Sequence, residues 1–228
     1  MSRASSRRAV QAAETKRMIL DAALRLFTAQ GYGATSVSQI AEEAGVAVPT
    51  VYASAGTKPA LLLQLIDRID EQAGVPGLAA EIMASDDALT VLNLSIRLIR
   101  QLAERCGDII AALRSAAGVE PQMAQVFAAG LARHRAGAEL TVGRIADLGG
   151  LRPDVPPRQA AAILATLSSP ATYASLASDY GWSFDQCETW LQDLLHHQLL
   201  ALPAPAGRAV EESAANLPAE TGLRSLAR

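Results

Sequence analysis

Cysteine is almost missing from this chain: Cys106 and Cys187 are the only two in 228 residues. Two thiols cannot build a disulfide framework, and these stand in no metal-ligand spacing, so they read as buried or idle. Aromatic residues make up only 4% of the sequence, which leaves the core to aliphatic side chains. No apolar run approaches about eighteen residues, the length that signals a membrane-spanning helix. The basic start MSRASSRRAVQAAETKR is followed by no apolar stretch of the kind that marks a secretory leader. Together these absences predict a cytoplasmic protein with no membrane partner. The histidines are His134, His196 and His197. The adjacent pair would point to different faces of a helix, and none stands at metal spacing from a carboxylate or cysteine. A glycine-rich phosphate loop and a nucleophile motif are lacking too. The chain is therefore not expected to be an enzyme, nor to need a metal or cofactor.

Apolar residues make up half of the chain, enough for a sizeable core. The net charge of −3 hides an asymmetry. Residues 1–58 hold 7 Lys and Arg against 4 Asp and Glu, whereas residues 59–228 hold 13 against 19. A basic end on an acidic body is the pattern of a protein that presents one end to nucleic acid, because neutralising phosphates is what makes such binding strong. Apolar residues recur with helical period and no strand-like run carries hairpin turn chemistry. The fold class predicted is all-α, a helix bundle.

The most informative stretch is Thr35 to Lys58, TSVSQIAEEAGVAVPTVYASAGTK. Ser36 and Gln39 form a capping box that starts a helix. Val37, Ile40, Ala41 and Ala44 give it one apolar face, and Gly45 supplies a left-handed stop. A second short helix begins at Val48, with Pro49 tolerated in its first turn. Two short helices joined by a tight turn make a helix-turn-helix. In such a motif the start of the second helix meets base edges, which makes Val48, Pro49 and Thr50 candidates, Thr50 through its hydroxyl and the others by apolar contact. Arg, Asn and Gln are absent there, so direct base readout is modest and DNA shape has to contribute. Thr35 and Ser36, at the start of the first of the two helices, offer hydroxyls and backbone N–H groups to a phosphate.

These residues resemble the TetR family of bacterial transcriptional regulators. The resemblance runs from Ile19 to Leu62: the helix ILDAALRLF, the entry GYGATSV, QIAEEAGV, T-V-Y, and a lysine six residues beyond Tyr52. Pro49 stands where the family usually has a small residue, and Ala55 where an aromatic is common. The resemblance implies that Tyr52 and Lys58 contact phosphate. It also implies that the last two helices pair with their copies in a four-helix bundle.

Along the rest of the chain, Met1 to Ala13 reads as a mobile basic arm within reach of a neighbouring phosphate or the minor groove. A helix is predicted over 14–30 with Ile19, Ala22, Ala23, Leu26 and Phe27 inward and Tyr32 packed beneath the junction. Another is predicted from Pro59 to about Ala73. We place the domain boundary between the helix-turn-helix, 14–58, and a regulatory and dimerisation domain, 59–202, with GVPG at 74–77 as a composition break. Helices are predicted near 86–105, 108–117, 121–148, 158–179 with a kink at Pro170, and 184–202, followed by a disordered tail over 203–228. Trp190, Leu191, Leu194, Leu195 and Leu199 are candidates for a dimer interface. Ile96, Ile99, Ile110, Leu113, Met123, Phe127, Leu131 and His134 are candidates to line an effector pocket or to be ordinary core. The expected function is a ligand-responsive repressor that binds a palindromic double-stranded operator as a homodimer, with a small, apolar effector. The rival is a dimeric helical ligand-binding or protein-interaction module without DNA binding.

Overall fold

The computed structural model describes residues 3–201, with side chains from residue 7 onward, so the tail over 203–228 lies outside the described residues. Eleven helices and no strand occur among them: α1 Arg3–Gln30, α2 Val37–Glu43, α3 Val48–Ala55, α4 Lys58–Ile66, α5 Ile69–Gln72, α6 Val75–Ala84, α7 Ala88–Ala117, α8 Pro121–Asp147, α9 Pro157–Leu167, α10 Pro170–Tyr180 and α11 Phe184–Leu199. The all-α expectation holds.

Several boundaries differ from the sequence reading, each for a local reason. The first helix reaches back to Arg3 instead of starting at Glu14. Ala and Arg favour helix, and a solvated helix needs no apolar period to continue. The long helix expected from Pro59 breaks at Asp67–Arg68 into α4 and α5. GVPG is a helix start rather than a linker: Gly74 adopts φ +66 and Pro76 sits in the first turn of α6. Cys106–Gly107 does not interrupt α7, which runs 30 residues with Cys106 and Ile109 buried on its inner face. Buried neighbours on both sides outweigh a single unfavourable glycine. Finally, Pro170 does not kink a helix. It opens α10 after a complete break, with Ser169 as the N-cap accepting from Thr172 N–H.

Two apolar cores result. The first joins Ile19, Leu20, Ala23, Phe27, Tyr32, Ile40, Val51, Leu61, Leu62 and Leu65 to Cys106, Ile109, Leu113, Ala116 and Met123. The helix-turn-helix is thus seated directly on the second half of α7 and the first turn of α8. The second core gathers Val91, Leu92, Ile96, Val142, Ile145, Leu164, Tyr173, Leu191, Leu195 and Leu199. Leu191, Leu195 and Leu199 are therefore core of this chain, which corrects their assignment to a dimer face; Trp190 stays 38% exposed. Ile96, Leu113 and Met123 are likewise close-packed core. The α8–α9 loop closes onto the end of α11 through Arg152 N–H to Leu199 O and Ala201 N–H to Gly150 O, both 2.9 Å. At Gly150 a Cβ would lie 2.2 Å from Ala88 Cβ, so only glycine lets this loop touch the start of α7.

Candidate nucleic-acid interface

Helix α2 begins where the sequence placed it. Ser36 Oγ accepts from Gln39 N–H at 3.2 Å, and Ser36 N–H donates to Gln39 Oε1 at 2.8 Å. Ile40, Ala41 and Ala44 are buried. Gly45, at φ +68, reverses the chain, and Val46 N–H returns to Ala41 O at 2.9 Å. Helix α2 runs back along α1: Gln30 Nε2 donates to Thr35 Oγ1 at 3.2 Å near one end, and Arg25 Nε donates to Glu43 Oε1 at 2.9 Å near the other. Helix α3 follows with no side-chain cap at Ala47 and buries Val51 and Ala55. Val48 is half-buried against the first core.

The outer face of α3 is accordingly Pro49, Thr50, Tyr52 and Ala53, with Tyr52 52% exposed. Of the three base-contact candidates, Pro49 is exposed, Thr50 is half-exposed, and Val48 is shared with the core. Ala53, one turn beyond Pro49, is exposed too; helical spacing from Pro49 was the signal that could have found it. Ala55, small where the resemblance led us to expect an aromatic, is covered by Gln64, whose Nε2 donates to Ala55 O at 2.7 Å and Ala60 O at 3.0 Å.

Two predicted phosphate ligands face inward. Thr35 is 2% exposed, and its hydroxyl donates to Gly31 O at 2.9 Å while its N–H bonds Tyr32 O at 3.2 Å. The expectation that its hydroxyl meets a phosphate is corrected: the group serves the turn that closes α1. Lys58 Nζ donates to Tyr32 O at 3.0 Å and Thr35 O at 2.9 Å, and lies 4.2 Å from the centre of the Tyr32 ring. In this arrangement it is a clamp on the GYG turn, holding two carbonyls and a π face at once. Ser36 remains exposed, although its N–H and hydroxyl are both engaged by Gln39.

The turn held by Lys58 also contacts the C-terminal helical half. Tyr32 is fully buried beside Phe27, with ring centroids 5.1 Å apart. Its N–H donates to Ser115 Oγ at 3.2 Å, and Gly33 lies against Val119. Burial, then the nearby Glu120 carboxylate, pushes the Tyr32 hydroxyl up to about 12. This junction was not legible in the sequence, because Ser115 is 83 residues away from Tyr32. Replacing Lys58 with methionine is expected to lower stability by about 1–3 kcal/mol without any DNA present, since two carbonyls lose a charged donor. Urea denaturation measures it, and unchanged stability would mean that Nζ is free for another partner.

Residues 19–65 match the family model described as "Bacterial regulatory proteins, tetR family". No curated protein matches the chain. Solved structures share the fold. NalD, the secondary repressor of the MexAB-OprM multidrug efflux pump in Pseudomonas aeruginosa, is 22% identical with a TM-score of 0.64, over 83% of this chain and 98% of that one. SmeT of Stenotrophomonas maltophilia, the repressor of the multidrug efflux pump SmeDEF, was solved as a triclosan complex. That complex is 18% identical with a TM-score of 0.64, over 85% of this chain and 99% of that one. A TetR transcription regulator from Haloarcula marismortui is 20% identical with a TM-score of 0.62, over 83% and 100%.

Proposed function

We propose that this chain, whose N-terminal helices carry the tetR-family pattern on a TetR-like all-α fold, is a repressor that binds a palindromic operator as a homodimer and releases it on binding a small molecule. One observation carries the reading above all: a capped α2, a left-handed turn at Gly45 and a short α3 whose outer face, Pro49, Thr50, Tyr52 and Ala53, is left bare. A face of this shape fits a major groove, with Thr50 and Pro49 towards base edges and Tyr52 towards phosphate.

One such motif makes few contacts, so two copies are needed for useful affinity. The stretch Pro157–Tyr180, α9 and α10, supports a second copy as partner. Its most apolar window has a mean hydropathy of 1.2 but is only 28% buried. Its exposed positions include Ala162, Thr166, Ala171, Ala174 and Ser178. Small side chains permit close approach of another helix, and the exposed Trp190 and Tyr180 add apolar surface nearby in the chain.

The effector reading draws on α8. Between Met123 and Ala138 no residue of α8 is buried, and His134 Nε2 meets Ala165 O of α9 at 2.8 Å. A ligand that prises α8 from α7 and α9 would move the Val119–Glu120 corner on which the GYG turn rests. It needs only a higher affinity for the displaced state. SmeT and NalD are repressors of efflux pumps, and SmeT holds triclosan; that likeness supports an apolar effector.

Two substitutions test the assignment of α3. Thr50→Ala is expected to change the base preference in duplexes selected from a random pool. Tyr52→Phe should weaken binding several-fold on every sequence alike. If both variants select the same duplexes as the parent with the same affinity, α3 is not the reading element.

A further inference from the structure

We infer that the overhanging first half of α1 is a phosphate-gripping arm that supplies most of the chain's electrostatic hold on DNA outside the groove read by α3; this rests on the DNA-binding reading above. The charge count points there. Residues 1–17 contain Arg3, Arg7, Arg8, Lys16 and Arg17 against Glu14, while residues 18–58 contain Arg25 and Lys58 against Asp21, Glu42 and Glu43. Residues 18–58 are therefore slightly acidic, and their two cations are already occupied. Arg25 is paired with Glu43 at 2.9 Å, and Lys58 is held by the carbonyls of Tyr32 and Thr35. Arg17 is paired with Glu14 at 2.6 Å and Asp21 at 2.9 Å. Among the described side chains of this end, Arg7, Arg8 and Lys16 have no carboxylate partner. A duplex-binding face without free cations would lack the counterion release that drives such binding, so the charge has to come from these three.

Geometry places them suitably. Every side chain from Arg7 to Glu14 is exposed, and the first buried residue of α1 is Ile19. The overhang therefore contributes nothing to either core. Arg25 of α1 meets Glu43 at the end of α2, α1 also packs on α3, and the overhang extends from the N-terminal side of that packed segment. From Ile19 to Arg8 the helix advances about 17 Å, the length of about five base pairs at 3.4 Å each. Arg7 and Arg8 then reach the sugar–phosphate backbone flanking the half-site.

The test uses the full chain and a fluorescent duplex that the unaltered chain has selected from a random pool, with about one helical turn left beyond each half-site. In a dimer, Arg7→Gln/Arg8→Gln removes four cations. The slope of log affinity against log salt should flatten by about 3.6, with base preference and thermal unfolding unchanged. Trimming the flanks should give the unaltered chain the same flattening and leave the double variant as it was. A double variant that keeps the parent's slope on the long duplex overturns the inference and leaves the function standing. An unaltered chain that retains no duplex at all overturns both.

Discussion

Tyr32→Ala is expected to cost about 3–5 kcal/mol, the range for truncating a fully buried aromatic, and to abolish DNA binding with it. Tyr32 is completely enclosed, lies beside Phe27 and under Lys58 Nζ, and fixes the turn that meets Ser115. Its removal opens a cavity between the helix-turn-helix and α7, and takes the π face from Lys58, which keeps only its two backbone carbonyls. Tyr32→Phe is the opposite case. The hydroxyl is buried without a hydrogen-bond partner, so deleting it is expected to be neutral or mildly stabilising. The pH dependence follows from the same group. An unfolded tyrosine ionises near 10, whereas burial holds this one neutral up to about 12. The stability it contributes is complete below pH 10 and falls away as pH rises towards 12. Chemical denaturation across that window should show a decline that Tyr32→Phe lessens, the remainder coming from Tyr173, whose hydroxyl burial pushes up further still.

Arg100→Met is expected to cost about 3 kcal/mol in the C-terminal helical half, the low end of what breaking a buried ion pair costs. Arg100 Nη1 meets Glu188 Oε2 at 2.5 Å and its Nη2 meets Asp185 Oδ1 at 2.6 Å, tying α7 to α11. Side-chain exposures of 22% for Arg100 and 12% for Glu188 mean that little water replaces a lost partner. Glu188 Oε1 is already buried without a partner, and only Arg97 at 3.9 Å would remain near it. Adding Glu188→Gln should recover part of the loss, because it neutralises the stranded carboxylate. A double variant no more stable than Arg100→Met would place the cost in packing instead of charge.

The helix-turn-helix was legible because its signals are local. A capping box, an apolar repeat and a glycine stop lie within ten residues, and each appears as read: Ser36 with Gln39, Ile40 with Ala41 and Ala44, Gly45 at φ +68. What was not legible depended on distant partners. Thr35 and Lys58 looked like free polar groups in sequence, yet each is engaged by backbone carbonyls that only the folded turn brings together. Leu191, Leu195 and Leu199 had the spacing of an interface, but a buried stripe does not reveal whether its cover is the same chain or another. Helix breaks failed in both directions. The buried setting of α7 carried it through Gly107, whereas Ser168–Ser169 ended α9 just before Pro170.

Salt-dependent retention of DNA addresses the central claim most directly. The chain's own upstream DNA should be bound by the purified full-length protein at low salt, and affinity should fall linearly on a log–log plot. A slope of about −5 or steeper is predicted, corresponding to about six or more phosphates in a dimer. Failure to retain that DNA, or any duplex from a random pool, at low salt would contradict the account.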